Sequence, residues 1–185
     1  MTREDELIKR MEQGDTGAAD ELIEMYYPEI LRYCIWNAPN RYLAEDAAQE
    51  TFLKAIRYFD HYVHKGKFKA FLYQIALNTC VDMKRRKWTT DVSLEQLPEE
   101  AAYRENGFDE VDENIQFRQM TDSLPEELQE IVILRYAQEL SMREIAQIVN
   151  LPMRTVQSRL RSALKKLKKD LSRERFERRH ISNHE

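Results

Sequence analysis

The stretch Leu140-Ser-Met-Arg-Glu-Ile-Ala-Gln-Ile-Val-Asn-Leu-Pro-Met-Arg-Thr-Val-Gln-Ser-Arg-Leu160 predicts two helices separated by a tight turn. Ser141 can cap the backbone three residues further on, and Glu144 can reach back to the cap, so the two form a capping box. The spacing of the apolar residues then predicts a short first helix from Met142 to Val149.

A turn after this helix is indicated by two residues with special backbone preferences. Asn150 enters the left-handed region at low cost, and Pro152 cannot continue a helix but can help to begin one. The second helix is expected from about Met153 to Lys169. A short helix, a three-residue turn and a longer basic helix form a helix-turn-helix, whose second helix enters the major groove of DNA.

The outward side of this second helix carries side chains that contact base edges or phosphates. Val156 and Leu160 are expected to point inward, toward the first helix. A solvated basic helix with no DNA partner is the alternative interpretation of the same residues. The candidate contacts to duplex DNA are Arg154, Thr155, Gln157, Ser158, Arg161 and Lys165, with Lys166, Lys168 and Lys169 as further phosphate contacts.

Charge is distributed unevenly along the 185 residues, although the net charge is only −4. Residues 61–87 hold seven Lys/Arg and one acid, a balance of +6, and residues 154–179 hold eleven and three, a balance of +8. Residues 88–117 hold nine acids and one Arg, a balance of −8. Two basic blocks around an acidic segment favour a nucleic-acid partner more than the net charge does.

The remaining composition narrows the class of protein. The N-terminus has no apolar signal sequence, and no apolar run is long enough to cross a bilayer, so we expect a cytoplasmic protein with no membrane insertion. Phosphate-binding glycine loops, metal-ligand spacings and nucleophile motifs are absent from the sequence, which predicts no enzyme, no metal and no cofactor. Cys34 and Cys80 are expected to be reduced and buried, with a disulfide or metal site as the less favoured alternative.

Helical periodicity predicts an all-α protein of two small helical domains joined by a flexible acidic linker. Helices are expected over 21–38, with a break or kink at Pro28, over 44–59 and over 69–87. The expected organisation is an N-terminal domain at 1–88, a linker at 89–112, the helix-turn-helix domain at 113–172 and a basic tail at 173–185.

Three segments carry a resemblance to a known family. Residues 44–55 (AEDAAQETFLKA), residues 68–82 (FKAFLYQIALNTCVD) with the basic run at 84–87, and residues 140–160 are similar, in that order, to motifs of the extracytoplasmic-function (ECF) sigma factors of bacterial RNA polymerase. The resemblance covers roughly residues 18–170. It implies a protein that directs core polymerase to promoters and assists DNA melting, and it makes an anti-sigma partner an expectation.

The resemblance also implies what each segment does. The segment at 44–55 would form a helix that docks on the clamp helices of the largest polymerase subunit. The residues implied in this contact are Asp46, Gln49, Glu50, Phe52 and Leu53. The region from Tyr62 to Lys87 would hold the melted strand of the −10 element, and the helix-turn-helix would bind the −35 element as duplex. The linker would pass through the polymerase interior near the RNA exit path.

Residue chemistry supports a single-strand site independently, because such sites combine cations with stacking faces. Phe68, Phe71 and Leu72 have the spacing of core residues, which leaves Tyr62 as the better candidate for contact with a base. Asn78 could read a base edge, although a surface amide is the plain alternative. The expected −10 contacts are Tyr62, Lys65, Lys67, Lys69, Asn78, Lys84 and Arg85.

The sequence departs from the family pattern at a few positions. Asn150 stands where the family often has Gly, and Ser162 stands where it often has Arg, which puts one phosphate contact in doubt. The tail has no assigned role. The acidic linker could mimic nucleic acid in a basic channel, or it could be a plain solvated linker.

A competing hypothesis is a helix-turn-helix regulator whose helical N-terminal half does not bind polymerase. A further competing hypothesis is a helical adaptor that binds polymerase without reading DNA. The segment from Asp46 to Phe52 argues against the regulator, and the basic second helix argues against the adaptor.

Overall fold

The computed structural model describes residues 2–63, 66–89 and 117–181, and the chain divides into two units, 1–103 and 104–185. Within the described residues all regular secondary structure is helical, which confirms the predicted all-α fold class with two helical domains. Most of the expected acidic linker, residues 90–112, lies outside the described residues. None of the described helices combines the length and the apolar character that a membrane span requires.

Four helices and a short 3₁₀ turn build the first unit. They are α1 Arg3–Glu12, α2 Thr16–Asn37, α3 Arg41–Arg57, the 3₁₀ turn Phe59–His61 and α4 Phe68–Thr89. Helix α2 is central, because α1, α3 and α4 all pack against it, and α3 also packs against α4.

Helix α1 was not predicted from the sequence. Its N-terminus is fixed by a capping box between Thr2 and Asp5, a T-x-x-D pattern that could have signalled it. Leu7 and Ile8 are fully buried. Arg10 ties the helix to the start of α2 through ion pairs of 2.8 Å to Asp15 and 2.9 Å to Glu21.

The predicted helix over 21–38 begins earlier, at Thr16, and it is not broken at Pro28, where a break or kink was expected. Proline lacks the N–H that would bond to the carbonyl of Glu24, one turn earlier. Both Pro28 and Glu24 are exposed, so that carbonyl can be hydrated and the helix continues as one element.

The core of the first unit joins α2 to α4. Tyr33 and Tyr73 pack edge to face with ring centroids 5.3 Å apart, and both side chains are buried. The Sγ atoms of Cys34 and Cys80 are 4.0 Å apart, and both residues are free, buried cysteines, as predicted. The neighbouring Cys80 thiol and burial raise the pKa of Cys34 far above its ordinary value.

Two large apolar residues of α2 and α3 lie on the surface rather than in the core. Met25 is 42% exposed and Ile56 is 46% exposed. Helix α3 also begins three residues before the predicted Ala44, because the Asn40 side chain caps it by accepting from the Leu43 amide at 2.9 Å.

The described elements of the second unit are the helical residues 117–122 (α5), α6 Glu126–Val132, a π-helical turn Ile133–Ala137, α7 Met142–Ile148 and α8 Met153–Ile181. Helix α8 is the centre of this unit, and α6 and α7 pack against it. The buried cluster contains Leu124, Val132, Ala163 and Leu167.

The helix-turn-helix has the predicted local structure. The Ser141 hydroxyl accepts from the Glu144 amide at 3.3 Å, and the Ser141 amide donates to the Glu144 carboxylate at 2.8 Å. Asn150 adopts the left-handed conformation, with φ of 51°. The carbonyl of Pro152 accepts the first backbone bonds of α8. That helix ends at Ile181, so the predicted end near Lys169 was wrong.

Candidate functional site

One exposed side of helix α3, here called the α3 face, combines apolar and polar residues. Their spacing of three or four residues aligns them along the helix. Tyr42 is 72% exposed and Leu53 59% exposed, so the face presents large apolar side chains to solvent. Its members are Tyr42, Asp46, Gln49, Leu53 and Ile56.

Phe52, predicted to contact polymerase, is part of the core instead. It is only 6% exposed, and its ring stacks on Tyr27 with centroids 6.0 Å apart. Asp46, Gln49 and Leu53 are exposed and remain candidates. The sequence could not separate Phe52 from Leu53, because both are apolar neighbours in the same motif.

Glu50 lies at the edge of the α3 face rather than in its middle. Its carboxylate is 3.7 Å from Nζ of Lys54, and that ammonium group also donates to the Thr79 hydroxyl at 3.2 Å. The contact therefore links the edge of the α3 face to helix α4. Glu50 is exposed, so it can still meet a partner at the rim of the face.

Helix α4 presents a second surface, here called the α4 face. Phe71, Asn78 and Arg85 are spaced by seven residues, about two turns, and so share one side of the helix. Asn78 and Arg85 are exposed, and Phe71 is partly buried. Lys67, also exposed, lies just before the helix, where its carbonyl accepts from the Phe71 amide at 3.0 Å.

Tyr62 belongs to an aromatic cluster next to the α4 face. Its ring centroid is 4.9 Å from that of Phe71, 5.5 Å from that of Phe68 and 6.2 Å from that of Phe59. The predicted core positions Phe68 and Leu72 are buried. Tyr62 is partly buried, so only part of its ring is open to a base.

The other predicted −10 contacts do not all lie on the α4 face. Lys69 is nine residues from Asn78, about half a turn away around the helix, and its Nζ pairs with Glu29 at 2.7 Å. Lys84 is partly buried and lies about 120° from Asn78 around the helix. Lys65 is outside the described residues.

Helix α8 presents the third surface. The spacing of Arg154, Gln157, Ser158, Arg161 and Lys165 places them on one side, and all five are exposed. Thr155 is partly buried at the margin. We call the five aligned residues the α8 reading face.

The opposite side of α8 holds the domain together. Val156 is fully buried there, and Arg159 pairs with Glu127 of α6 at 3.0 Å. On the reading face, Arg161 Nε donates to the carbonyl of Gln157 at 3.4 Å. The cations of the reading face therefore point away from the helices that support α8.

The sequence missed several exposed residues near these surfaces. Tyr42 and Ile56 complete the apolar part of the α3 face. Val63 is 70% exposed in the segment before α4, beside the aromatic cluster. Val63 has neither a charge nor an aromatic ring, so the sequence carries no signal of a nucleic-acid contact at this position.

Two protein families match the chain. The family described as Sigma-70 region 2 matches residues 22–90, and the family described as Sigma-70, region 4 matches residues 114–167. The first range contains the α3 and α4 faces, and the second contains the α8 reading face.

Relatives of known identity match most of the chain. It is 30% identical over 179 residues to the ECF RNA polymerase sigma factor SigW of Bacillus subtilis strain 168, covering 89% of this chain and 96% of that protein. It is 31% identical over 193 residues to the RNA polymerase sigma-H factor of Pseudomonas aeruginosa, covering 93% and 97%.

Solved structures share the fold. CnrH, solved in complex with the cytosolic domain of CnrY, gives a TM-score of 0.69 at 20% identity and covers 90% of this chain and 95% of that one. The sigma factor RpoE of Bartonella quintana, solved with the anti-sigma factor NepR, gives 0.63 at 23% identity, covering 83% and 96%. By its family matches and its relatives, this chain belongs to the ECF family of RNA polymerase sigma factors.

Proposed function

We propose that this sigma factor directs core RNA polymerase to promoters through three surfaces with separate tasks. The α3 face docks on core polymerase, the α4 face with the aromatic cluster holds the melted −10 strand, and the α8 reading face binds the −35 duplex. The observation that carries the proposal is that one chain presents both an exposed apolar helix face and a capped helix-turn-helix with an exposed basic side.

The α3 face has the composition of a protein-binding surface. Apolar side chains of Tyr42, Leu53 and Ile56 are exposed along it, and Asp46 and Gln49 lie between them. Such a mixture fits an interface with an apolar centre and a polar rim. We assign polymerase docking to Asp46, Gln49, Glu50 and Leu53, add Tyr42 and Ile56, and remove Phe52.

The α4 face suits an unpaired strand. Cations at Lys67 and Arg85 can follow phosphates, while the exposed amide of Asn78 can read a base edge. Tyr62 is only partly buried, so it can contact a base, and its packing against Phe71 keeps its ring in place. We give Lys69 no role in strand contact, because Glu29 holds it on the other side of the helix.

The α8 reading face suits the major groove. Arg154, Gln157, Ser158 and Arg161 are exposed near the N-terminal end of the second helix, where a helix-turn-helix meets base edges. Gln can pair with adenine through two hydrogen bonds, and Arg with guanine. Lys165, one turn further on, is assigned to phosphate.

For the organisation of the chain, we propose that residues 1–88 bind polymerase and the −10 element, that 89–112 link, and that 113–172 bind the −35 element. An anti-sigma partner is proposed as well, because RpoE of Bartonella quintana was solved with the anti-sigma factor NepR. We further propose that the chain has no catalytic activity of its own and works in the cytoplasm, where polymerase meets the chromosome. The alternative of a regulator without polymerase binding is not favoured, because Sigma-70 region 2 matches its N-terminal half.

Run-off transcription tests the proposal. Core polymerase is incubated with genomic promoter fragments, with and without the purified chain. We expect discrete transcripts that require the chain. Transcripts identical to those of core polymerase alone would contradict the proposed function.

A further inference from the structure

The four helices and the 3₁₀ turn of the first unit meet around an open pocket, here called the apolar pocket. All ten residues that line it are apolar, and the empty space among them is about 270 Å³ including the open mouth. Leu22 and Leu72 are buried at its floor. Met11 and Ala19 are partly buried and Ile56 is exposed, so these three residues surround the mouth.

Helix α1 supplies one wall of the apolar pocket. Met11 is the second-last residue of α1, and its neighbour Arg10 holds this end of the helix on α2. The ion pairs that do so measure 2.8 Å to Asp15 and 2.9 Å to Glu21. Contacts within the chain therefore fix the wall, and the pocket is formed without a partner.

The apolar pocket lies at one end of the α3 face. Ile56 belongs to both, because it is the last residue of that face and also lines the pocket. Leu53, one turn earlier, is exposed beside it. From Tyr42 to Ile56 the α3 face is fourteen residues long, which is about four turns or 21 Å. A partner helix that lies along this face therefore reaches the mouth of the pocket.

The lining of the pocket favours a protein side chain over a small ligand. Sites for small molecules usually enclose roughly 300–1,000 Å³ and contain a few polar groups that orient the ligand. The apolar pocket is smaller, and its lining residues are all apolar. An aliphatic side chain needs no polar partner, and side chains that fill such pockets contribute much of the binding energy of an interface.

We propose that the apolar pocket anchors core polymerase, with one aliphatic side chain of the polymerase helix on the α3 face inserted into it. The inference rests on the proposed docking of polymerase on the α3 face. An amphipathic helix commonly binds a groove through apolar anchors of this kind. The acidic and amide side chains of the α3 face then set the register of the helix, and the anchor supplies affinity that salt does not screen.

The test fills or widens the pocket and leaves the α3 face unchanged. Ala19→Leu adds an aliphatic group from α2, and Met11→Ala removes part of the wall on α1. Glu24→Leu is the matched control, because residue 24 is exposed and lies about 140° from residue 19 around α2. Each full-length chain is titrated with core polymerase at two KCl concentrations. Denaturant unfolding and sedimentation measure stability and oligomeric state.

We expect Ala19→Leu and Met11→Ala to bind core polymerase roughly tenfold more weakly than the wild type. The loss should be the same at both salt concentrations, because the contact is apolar. Glu24→Leu should bind as the wild type does. If Ala19→Leu lowers stability, Met11→Ala still decides the question. Wild-type affinity of the folded pocket variants, or an equal loss in Glu24→Leu, would overturn the inference. So would a dimer of the wild-type chain that Ala19→Leu dissociates, since a second copy would then occupy the pocket.

Leu53→Ala separates this inference from the proposed function, because Leu53 belongs to the α3 face and does not line the pocket. If Leu53→Ala weakens association while both pocket variants bind normally, the α3 face docks on polymerase and the anchor is wrong. If all three variants bind normally, docking through the α3 face fails together with the anchor.

Discussion

Nζ of Lys69 lies 2.7 Å from the Glu29 carboxylate, and this ion pair fixes the Lys69 side chain toward α2, away from the side of α4 that carries Asn78. Both partners are partly shielded, with side-chain exposures of 29% and 26%. A cation that packs two helices together is not available to follow a DNA strand. Lys67, two residues earlier, is exposed, so its charge is available to follow a DNA strand.

The first prediction separates these two lysines. Lys69→Gln should cost up to about 1 kcal/mol of stability and leave strand opening intact, because its charge serves the α2–α4 contact. Lys67→Gln should leave stability unchanged and reduce open-complex formation. Permanganate reactivity of promoter thymines reports opening, and Glu29→Gln is the control for the ion pair. Equal loss of opening in both lysine variants would contradict this assignment.

The second prediction uses the adjacent residues Phe52 and Leu53. Phe52→Ala should lower the free energy of unfolding by about 3–5 kcal/mol, since it empties a buried site against Tyr27. Leu53→Ala should change stability by less than about 0.5 kcal/mol, yet weaken association with core polymerase. Denaturant unfolding and co-purification with core measure the two effects. If Leu53→Ala associates with core polymerase as the wild type does, Leu53 is not part of a docking surface for polymerase.

The third prediction concerns Asn78 and Tyr62. Asn78→Ala should slow melting of a duplex promoter more than it weakens closed-complex binding, because extruding a base costs a few kcal/mol. A template already mismatched at the −10 element should restore activity. Tyr62→Phe keeps the ring in its cluster and should behave like wild type, while Tyr62→Ala should be defective. If Asn78→Ala melts duplex promoters at the wild-type rate, the amide makes no contact with the strand.

The fourth prediction concerns the turn of the helix-turn-helix. Asn150 has φ of 51°, a conformation that glycine adopts without strain and β-branched residues resist. Asn150→Gly should leave both stability and −35 binding near wild type. Asn150→Val should destabilise the second unit by roughly 1–2 kcal/mol. Thermal unfolding of the full chain measures the stability of both variants. If the two are equally stable, the φ angle at residue 150 does not restrict which residue can stand there.

The helix-turn-helix was predictable from the sequence because its signals are local. Ser141 and Glu144 cap α7 across three residues, and Asn150 sets the turn by its own backbone preference. Helix α1 carries a similar local signal at Thr2 and Asp5. Most of its residues are charged, so its two adjacent buried residues, Leu7 and Ile8, do not produce a recognisable helical periodicity.

What the sequence could not supply depends on contacts between distant residues. Lys69 was assigned to DNA because its partner Glu29 lies forty residues earlier in the chain. Phe52 was assigned to polymerase because only the packing of α3 on Tyr27 distinguishes it from Leu53. Pro28 was expected to break or kink α2, and the exposed positions of Pro28 and Glu24, which let water bond to the freed carbonyl, explain how the helix continues.

The fifth prediction concerns Arg154 and Gln157 on the α8 reading face. Replacing a residue that reads a base should cost about 1–3 kcal/mol and relax preference at one position of the −35 element. Lys165→Gln, about two to three turns further along the helix, is the matched control. It should weaken all sequences alike, because it is assigned to phosphate. Recognition by DNA shape alone is the alternative, in which no single position would relax.

Promoter recognition by this chain is tested by mapping every transcript start that core polymerase makes on genomic DNA in vitro, with wild-type chain, Arg154→Ala or Gln157→Ala. We expect the wild-type chain to add a set of starts that share −10 and −35 elements. We also expect at least one variant to accept starts whose −35 element differs at a single position. Starts that match those of core polymerase alone would show that the chain does not direct polymerase to promoters. If the chain adds starts and both variants keep the wild-type −35 preference at lower yield, direct readout by this face is wrong.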